Sequence, residues 1–271
     1  MATNPVLNDR RFEQVIAEGY GDTRQERTMT LGGTLSALGV LFVLLIASAI
    51  FGWMQVKQVQ APVFSNGVPV IDEAGNQVMG NATSFPSWII FPALGAFVLV
   101  LVTAFKPMIA MFTSPIYAVG MGMFLGAISA VYNYSWDGIV VQAVIATLSV
   151  VGVVLFLYAT RIVKVTPKFV LVTIGATFGI AIMYLVGMVA SWLGADIMFW
   201  NQPSLFGIGI SVVICIVASM NLFVDFAFIE QSVAAKNMPR RMEWFAALGV
   251  TITIVWLYLE LLRLLSLLRQ Q

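Results

Sequence analysis

Residues 251–268 read TITIVWLYLELLRLLSLL. Its second part, LYLELLRLLSLL (257–268), is apolar all round apart from Glu260, Arg263 and Ser266, which recur every third position and mark one stripe. A helix of this kind is buried among other helices or lies in a membrane. The carboxylate in its middle is the anomaly, because a charged acid at the centre of a membrane helix costs about 2.5–3.5 kcal/mol on insertion scales.

The rest of the chain decides between core and membrane. Of 271 residues, 60% are hydrophobic and 10% charged, with a mean hydropathy of +0.93. A soluble domain carries about 25% charged residues. Seven runs, roughly 31–53, 88–105, 115–133, 139–159, 169–193, 206–229 and 246–267, approach or exceed the length needed to cross about 30 Å of hydrocarbon at about 1.5 Å per residue. The composition predicts an all-α membrane protein, a seven-helix bundle spanning residues 29–271 behind a polar tail, 1–28, that has no apolar segment of a cleaved signal peptide. Trp53, Trp88, Trp192, Trp200 and Trp244 fall near the predicted ends, where interfacial aromatics belong.

Eleven of the fourteen Lys and Arg lie in the tail or in the connections after spans two, four and six. The positive-inside rule puts these, and the N-terminus, in the cytosol. The odd number of spans puts the C-terminus outside; a re-entrant last segment would return it. The long external loop, 54–87, contains PVIDEAGNQV, whose Ala-Gly-Asn turn between β-forming residues predicts a small hairpin. Its Asn81-Ala-Thr83 sequon matters only in a secretory pathway. Gly122 and Gly126 on span three form a small-xxx-small pattern that lets two helix backbones approach closely.

Several function classes are disfavoured. The chain has no histidine, the commonest general base and zinc or haem ligand. An intramembrane serine protease would have none to activate its nucleophile, and the last span has no lysine for a retinal Schiff base. A coupled transporter usually shows repeated halves with broken helices, and no internal symmetry is visible. The lone Cys215 cannot form an intrachain disulfide. No enzymatic activity, cofactor or nucleic-acid partner is expected.

Two acids lie well inside apolar runs, Asp225 in NLFVDFAF and Glu260 in LYLELL; Glu230 and Glu243 sit at the inner boundary, and Asp137 and Asp196 in outer loops. A buried acid can take up a proton, pair with a cation or line water. Arg263 shares a helix face with Glu260 and offers a local ion pair. Asn221, one turn before Asp225, offers it a hydrogen bond. Alternatively, the hairpin of spans six and seven brings the two carboxyls together as a proton-sharing pair that senses pH and offers hard oxygen ligands to Ca²⁺. Their different depths mean that contact requires a tilted last helix or a bridging water or ion.

Four segments carry a resemblance: KPMIAMFTSPIYAVGMGMFLGAISAVY (106–132), GIVVQAVIAT (138–147), RIVKVTPKF (161–169) and the whole of 221–268 from NLFVDFAFIEQ to LLRLLSLL. With the NPVLN of the tail and the order of spans, the chain resembles the bacterial branch of the Bax inhibitor-1 family along nearly its whole length. The resemblance implies a bundle with the last helix at the centre and the other six around it, in a bacterial plasma membrane. It implies a pH-sensitive calcium leak, with links to stress survival and to membrane-protein quality control. It carries the family's acidic pair onto Asp225 and Glu260, the latter a glutamate where the family has aspartate, and matches a basic gating residue loosely with Lys106. The expected ligand is Ca²⁺ or another cation, with membrane lipids and membrane-protein partners around it. The alternative is a non-conducting regulator acting through the tail and the basic KNMPRR loop.

Overall fold

In the computed structural model the described residues are 28–65, 68–72, 74–194, 203–236 and 238–271. The tail before Thr28, Asp196 and Trp200 lie outside the described residues, as does the side chain of Asn81.

Seven helices follow one another: α1 Leu31–Gln55, α2 Ile90–Phe105, α3 Ala110–Ser135, α4 Ile139–Ala159, α5 Pro167–Trp192, α6 Leu205–Ala235 and α7 Met242–Arg269. All seven are long and apolar enough to cross a membrane, and the protein is a multi-span membrane protein. Their starts follow local chemistry. Thr30 caps α1 by accepting from the Gly33 N–H at 3.0 Å, and Ser204 caps α6 from Gly207 at 3.1 Å. Thr166 caps α5 from Phe169 at 3.2 Å, with Pro167 at the first position, where a missing N–H costs nothing.

The largest departure from the expected boundaries is in α3 and α6. The connection after α2 is a single 3₁₀ turn, Pro107–Ile109, and α3 begins at Ala110 rather than near 115, carrying Pro115 within its second turn. Helix α6 runs six residues beyond 229, because GlnSerValAlaAla continues the helix until Lys236 turns left-handed at φ 52°.

Helix α7 is the centre. In its most apolar window 61% of residues are buried, against 6% for α5 at the periphery. It packs directly on α1, α3, α4 and α6, and Val250, Leu257 and Leu262 are fully enclosed. Helix α2 reaches the centre through one small cluster, Ala96 with Tyr117 and Leu248. Helices α1 and α3 are pressed together. A Cβ on Gly126 would overlap the Ala49 backbone, and one on Gly122 would overlap Leu45 and Ser48, so the small-xxx-small pattern serves close packing.

The 54–87 segment is a hairpin. Strand β1 (Lys57–Pro62) pairs antiparallel with β4 (Met79–Ser84), Lys57 opposite Ser84 and Pro62 opposite Met79. Short strands β2 (Phe64–Ser65) and β3 (Val68–Pro69) pair with each other. Asp72 Oδ1 closes the turn by accepting from the Ala74 and Asn76 N–H groups at 3.0 and 2.8 Å. This end of the bundle is the hairpin end; the opposite one, carrying the α2–α3, α4–α5 and α6–α7 connections, is the basic end.

Candidate functional site

Glu260 sits on the central helix, nine residues or about 14 Å of helix before its last residue. Only 4% of it is exposed, so it faces protein and not lipid. Its Oε1 accepts from the Ser211 hydroxyl of α6 at 2.7 Å and from Arg263 Nη1 at 3.2 Å. Its Oε2 accepts from the Tyr184 hydroxyl of α5 at 2.9 Å. Arg263 Nη1 also donates to the Tyr184 oxygen at 2.8 Å, and its guanidinium carbon lies 5.9 Å from the tyrosine ring centroid. A carboxylate, a guanidinium and two hydroxyls thus tie three helices inside an apolar bundle. The Arg263 pairing read from the three-residue spacing is present; of the polar stripe, Glu260 meets Ser211 of α6, Arg263 reaches Tyr184 of α5, and Ser266 donates to the Arg263 carbonyl of its own helix. Ser211 and Tyr184 were not identifiable beforehand. Each sits in an apolar run, and which neighbour its hydroxyl meets depends on how three helices rotate.

Asp225 occupies a different level. It is half-buried, its Oδ2 accepts from the Thr253 hydroxyl of α7 at 2.7 Å, and its Oδ1 rests over Gly249, 3.6 Å from where a Cβ would stand. Thr253 precedes Glu260 by seven residues, about 10 Å along α7. Asp225 follows Ser211, which also bonds Glu260, by fourteen residues, about 21 Å along α6. Asp225 and Glu260 make no direct hydrogen bond to each other in this structure. The reason is the hairpin's geometry: with α6 ending at Ala235 and α7 starting at Met242, antiparallel packing sets Asp225 level with residue 252 or 253, not 260. Among the described residues no three Asp, Glu, Cys or His side chains gather.

Two other expected participants also lie elsewhere. Asn221 does not serve Asp225; its Nδ2 donates to Thr177 Oγ1 of α5 at 2.8 Å and to the Val217 carbonyl at 2.9 Å, which uses both amide hydrogens. Lys106 caps the C-terminus of α2 and is exposed at the basic end, away from the Glu260 cluster.

Glu243, taken from sequence as an ordinary boundary acid, is 3% exposed. Its Oε1 accepts from both the backbone N–H and the hydroxyl of Thr30, at 3.0 and 2.9 Å, and Arg240 Nε lies 3.5 Å from Oε2. The Met29 N–H donates to the Met238 carbonyl at 2.9 Å, and Thr28 bridges Pro239. The first turn of α1 is thereby clasped to the first turn of α7, with the carboxylate near two positive helix ends. Glu230 links α6 to the end of α4, accepting from the Tyr158 hydroxyl and from Arg161. Acids thus recur along the α6–α7 seam from the basic end inward: Glu243, then Asp225 with Thr253, then Glu260 with Arg263.

No curated protein and no solved structure matches the chain. The sequence model of one family, described as Bax inhibitor 1 like, matches residues 4–270. That match takes in the central helix, both intramembrane acids and nearly all of the 271 residues, and the chain belongs to the Bax inhibitor 1 like family.

Proposed function

We propose that the protein is a passive cation leak of a bacterial plasma membrane, with Ca²⁺ the favoured ion and protonation of Asp225 and Glu260 setting the flux. The two acids act as separate stations along the α6–α7 seam and not as one proton-sharing pair. The observation that carries this reading is the burial of the Glu260–Arg263 cluster in the central helix. A buried ion pair is weak evidence for stability, and ionisable groups held inside a membrane bundle mark ion or proton routes. The Asp225–Thr253 contact supplies a second hard oxygen group on the same seam, nearer the basic end. Eleven Lys and Arg at the tail and the basic-end connections support a cytosolic N-terminus, which makes Asp225 the station reached first from the cytosol.

A second reading is a regulator that does not conduct and works by contact with membrane-protein partners. It draws on the Thr28–Thr30 clasp, which sets Thr28 against Pro239, next in sequence to Arg240 and Arg241 of the α6–α7 connection. Purified protein reconstituted in vesicles with an entrapped calcium dye separates the two. The leak predicts dye filling down an imposed Ca²⁺ gradient, with a rate that changes between pH 6 and pH 8 and survives removal of residues 1–27. Vesicles that fill no faster than empty ones rule the leak out.

A further inference from the structure

At the basic end, away from the α6–α7 seam, a cavity of about 330 Å³ opens between the α4–α5 turn and α6. Its polar wall is Arg161, Lys164, Glu230 and Gln231, and its apolar wall includes Val163 and Val165. The geometry points to a binding site for the phosphate of an anionic glycerophospholipid.

Arg161 and Glu230 are tied to each other and to Tyr158. Arg161 adopts a left-handed backbone, φ 59°, which a non-glycine residue rarely does. Its N–H donates to the Tyr158 carbonyl at 3.0 Å, and its guanidinium is fixed on Glu230, which the Tyr158 hydroxyl holds from the other side. Glu230 cancels one of the two cations that line the cavity. The net charge of the lining is then +1, contributed by Lys164, and it matches the single negative charge of a phosphodiester.

The walls fit the rest of the molecule. Helix α4 ends at Ala159 and α5 starts at Pro167, so the turn sits where two spans leave the hydrocarbon. Next to Arg161, Ile162 is 66% exposed, an apolar side chain placed to meet acyl chains beside a cationic mouth. A soluble anion would use the charge but gain nothing from Ile162 or the valine wall. A phospholipid uses both, since basic groups at the surface attract anionic headgroups and apolar neighbours take the tails.

The test titrates the detergent-purified full chain with dioleoyl phosphatidylglycerol, with dioleoyl phosphatidylcholine and with inorganic phosphate. Lipid occupancy is read by native mass spectrometry, and phosphate binding by thermal shift. Phosphatidylglycerol should bind at least about fivefold more tightly than phosphatidylcholine, the effect of about one surface cation. Lys164→Gln, which leaves the Tyr158–Glu230–Arg161 links in place, should weaken phosphatidylglycerol binding about fivefold, and Arg161→Gln by at least as much. Arg241→Gln removes the same charge from the same end outside the cavity and should leave binding unchanged. Equal affinity for the two lipids, equal loss in Arg241→Gln and Lys164→Gln, or inorganic phosphate binding as tightly as phosphatidylglycerol would each overturn the assignment.

Discussion

Replacing Glu260 with leucine should destabilise the folded bundle by about 3–5 kcal/mol, the usual cost of breaking a buried ion pair from one side. Three donors converge on this carboxylate, from Ser211, Tyr184 and Arg263, and the arginine side chain is only 14% exposed. Leucine would leave them aimed at hydrocarbon. The double change Glu260→Leu with Arg263→Leu should recover much of the loss, because both charges then leave together. Thermal unfolding in detergent, followed by intrinsic tryptophan fluorescence, measures both. A single variant that melts with the wild type would mean that the cluster contributes nothing to the fold.

The second large effect is expected at Glu243. In Glu243→Ala the Thr30 N–H and hydroxyl both lose their acceptor at the first turn of α1, where several N–H groups already lack partners. A buried donor left unpaired costs about 1–3 kcal/mol, and more when its partner was charged, so a loss of about 2–4 kcal/mol is expected. Glu243→Gln keeps an acceptor in place and should lose less than half of that. Hydrogen exchange localises the effect: amides of residues 29–34 should exchange faster in Glu243→Ala, while those around Leu257 keep their protection. Unchanged exchange at the α1 start would show that the clasp is held by the Met29–Met238 bond alone.

The contrast between these two glutamates shows what a sequence can and cannot disclose. Glu260 was conspicuous because it interrupts an unbroken apolar run. The same contrast between run and interruption located all seven spans, α4 to the residue, and the Ala-Gly-Asn turn located the hairpin. Glu243 stood among MetProArgArgMetGluTrp, where an acid looks solvated, and its burial arises only when the start of α1 folds over it from more than two hundred residues away. Asp225 and Glu260 form no direct hydrogen bond for a related reason. Helical periodicity tells which residues share a face of one helix, but not the axial level at which two helices face each other. That level is fixed by where the α6–α7 turn closes. The mixed segment from Gln231 to Lys236 lies beyond the apolar run that ends near 229; it is helix through Ala235, and Asp225 consequently meets Thr253. The same holds for Asn221, whose amide turns across to Thr177 on α5.

The separation of the stations changes what the acids can do. Asp225 and Glu260 keep different hydroxyl partners, Thr253 for the first and Ser211 with Tyr184 for the second, at two levels of the α6–α7 seam. In the proposed leak each acid would hold a passing cation alone, and a unit charge about 4 Å from a cation is worth about 4 kcal/mol at an effective dielectric of about 20. Neutralising either station should therefore lower the flux by itself, and neutralising both should remove its response to pH.

The most direct measurement is calcium-dye filling of vesicles at pH 6 and pH 8 for the wild type, Asp225→Asn, Glu260→Gln and the double variant, at matched protein content. Loss of a unit charge from a cation site is expected to cut the rate about tenfold or more in each single variant, with the residual rate of the double variant equal at the two pH values. A double variant that keeps both the wild-type rate and the wild-type pH response would contradict a leak run through Asp225 and Glu260.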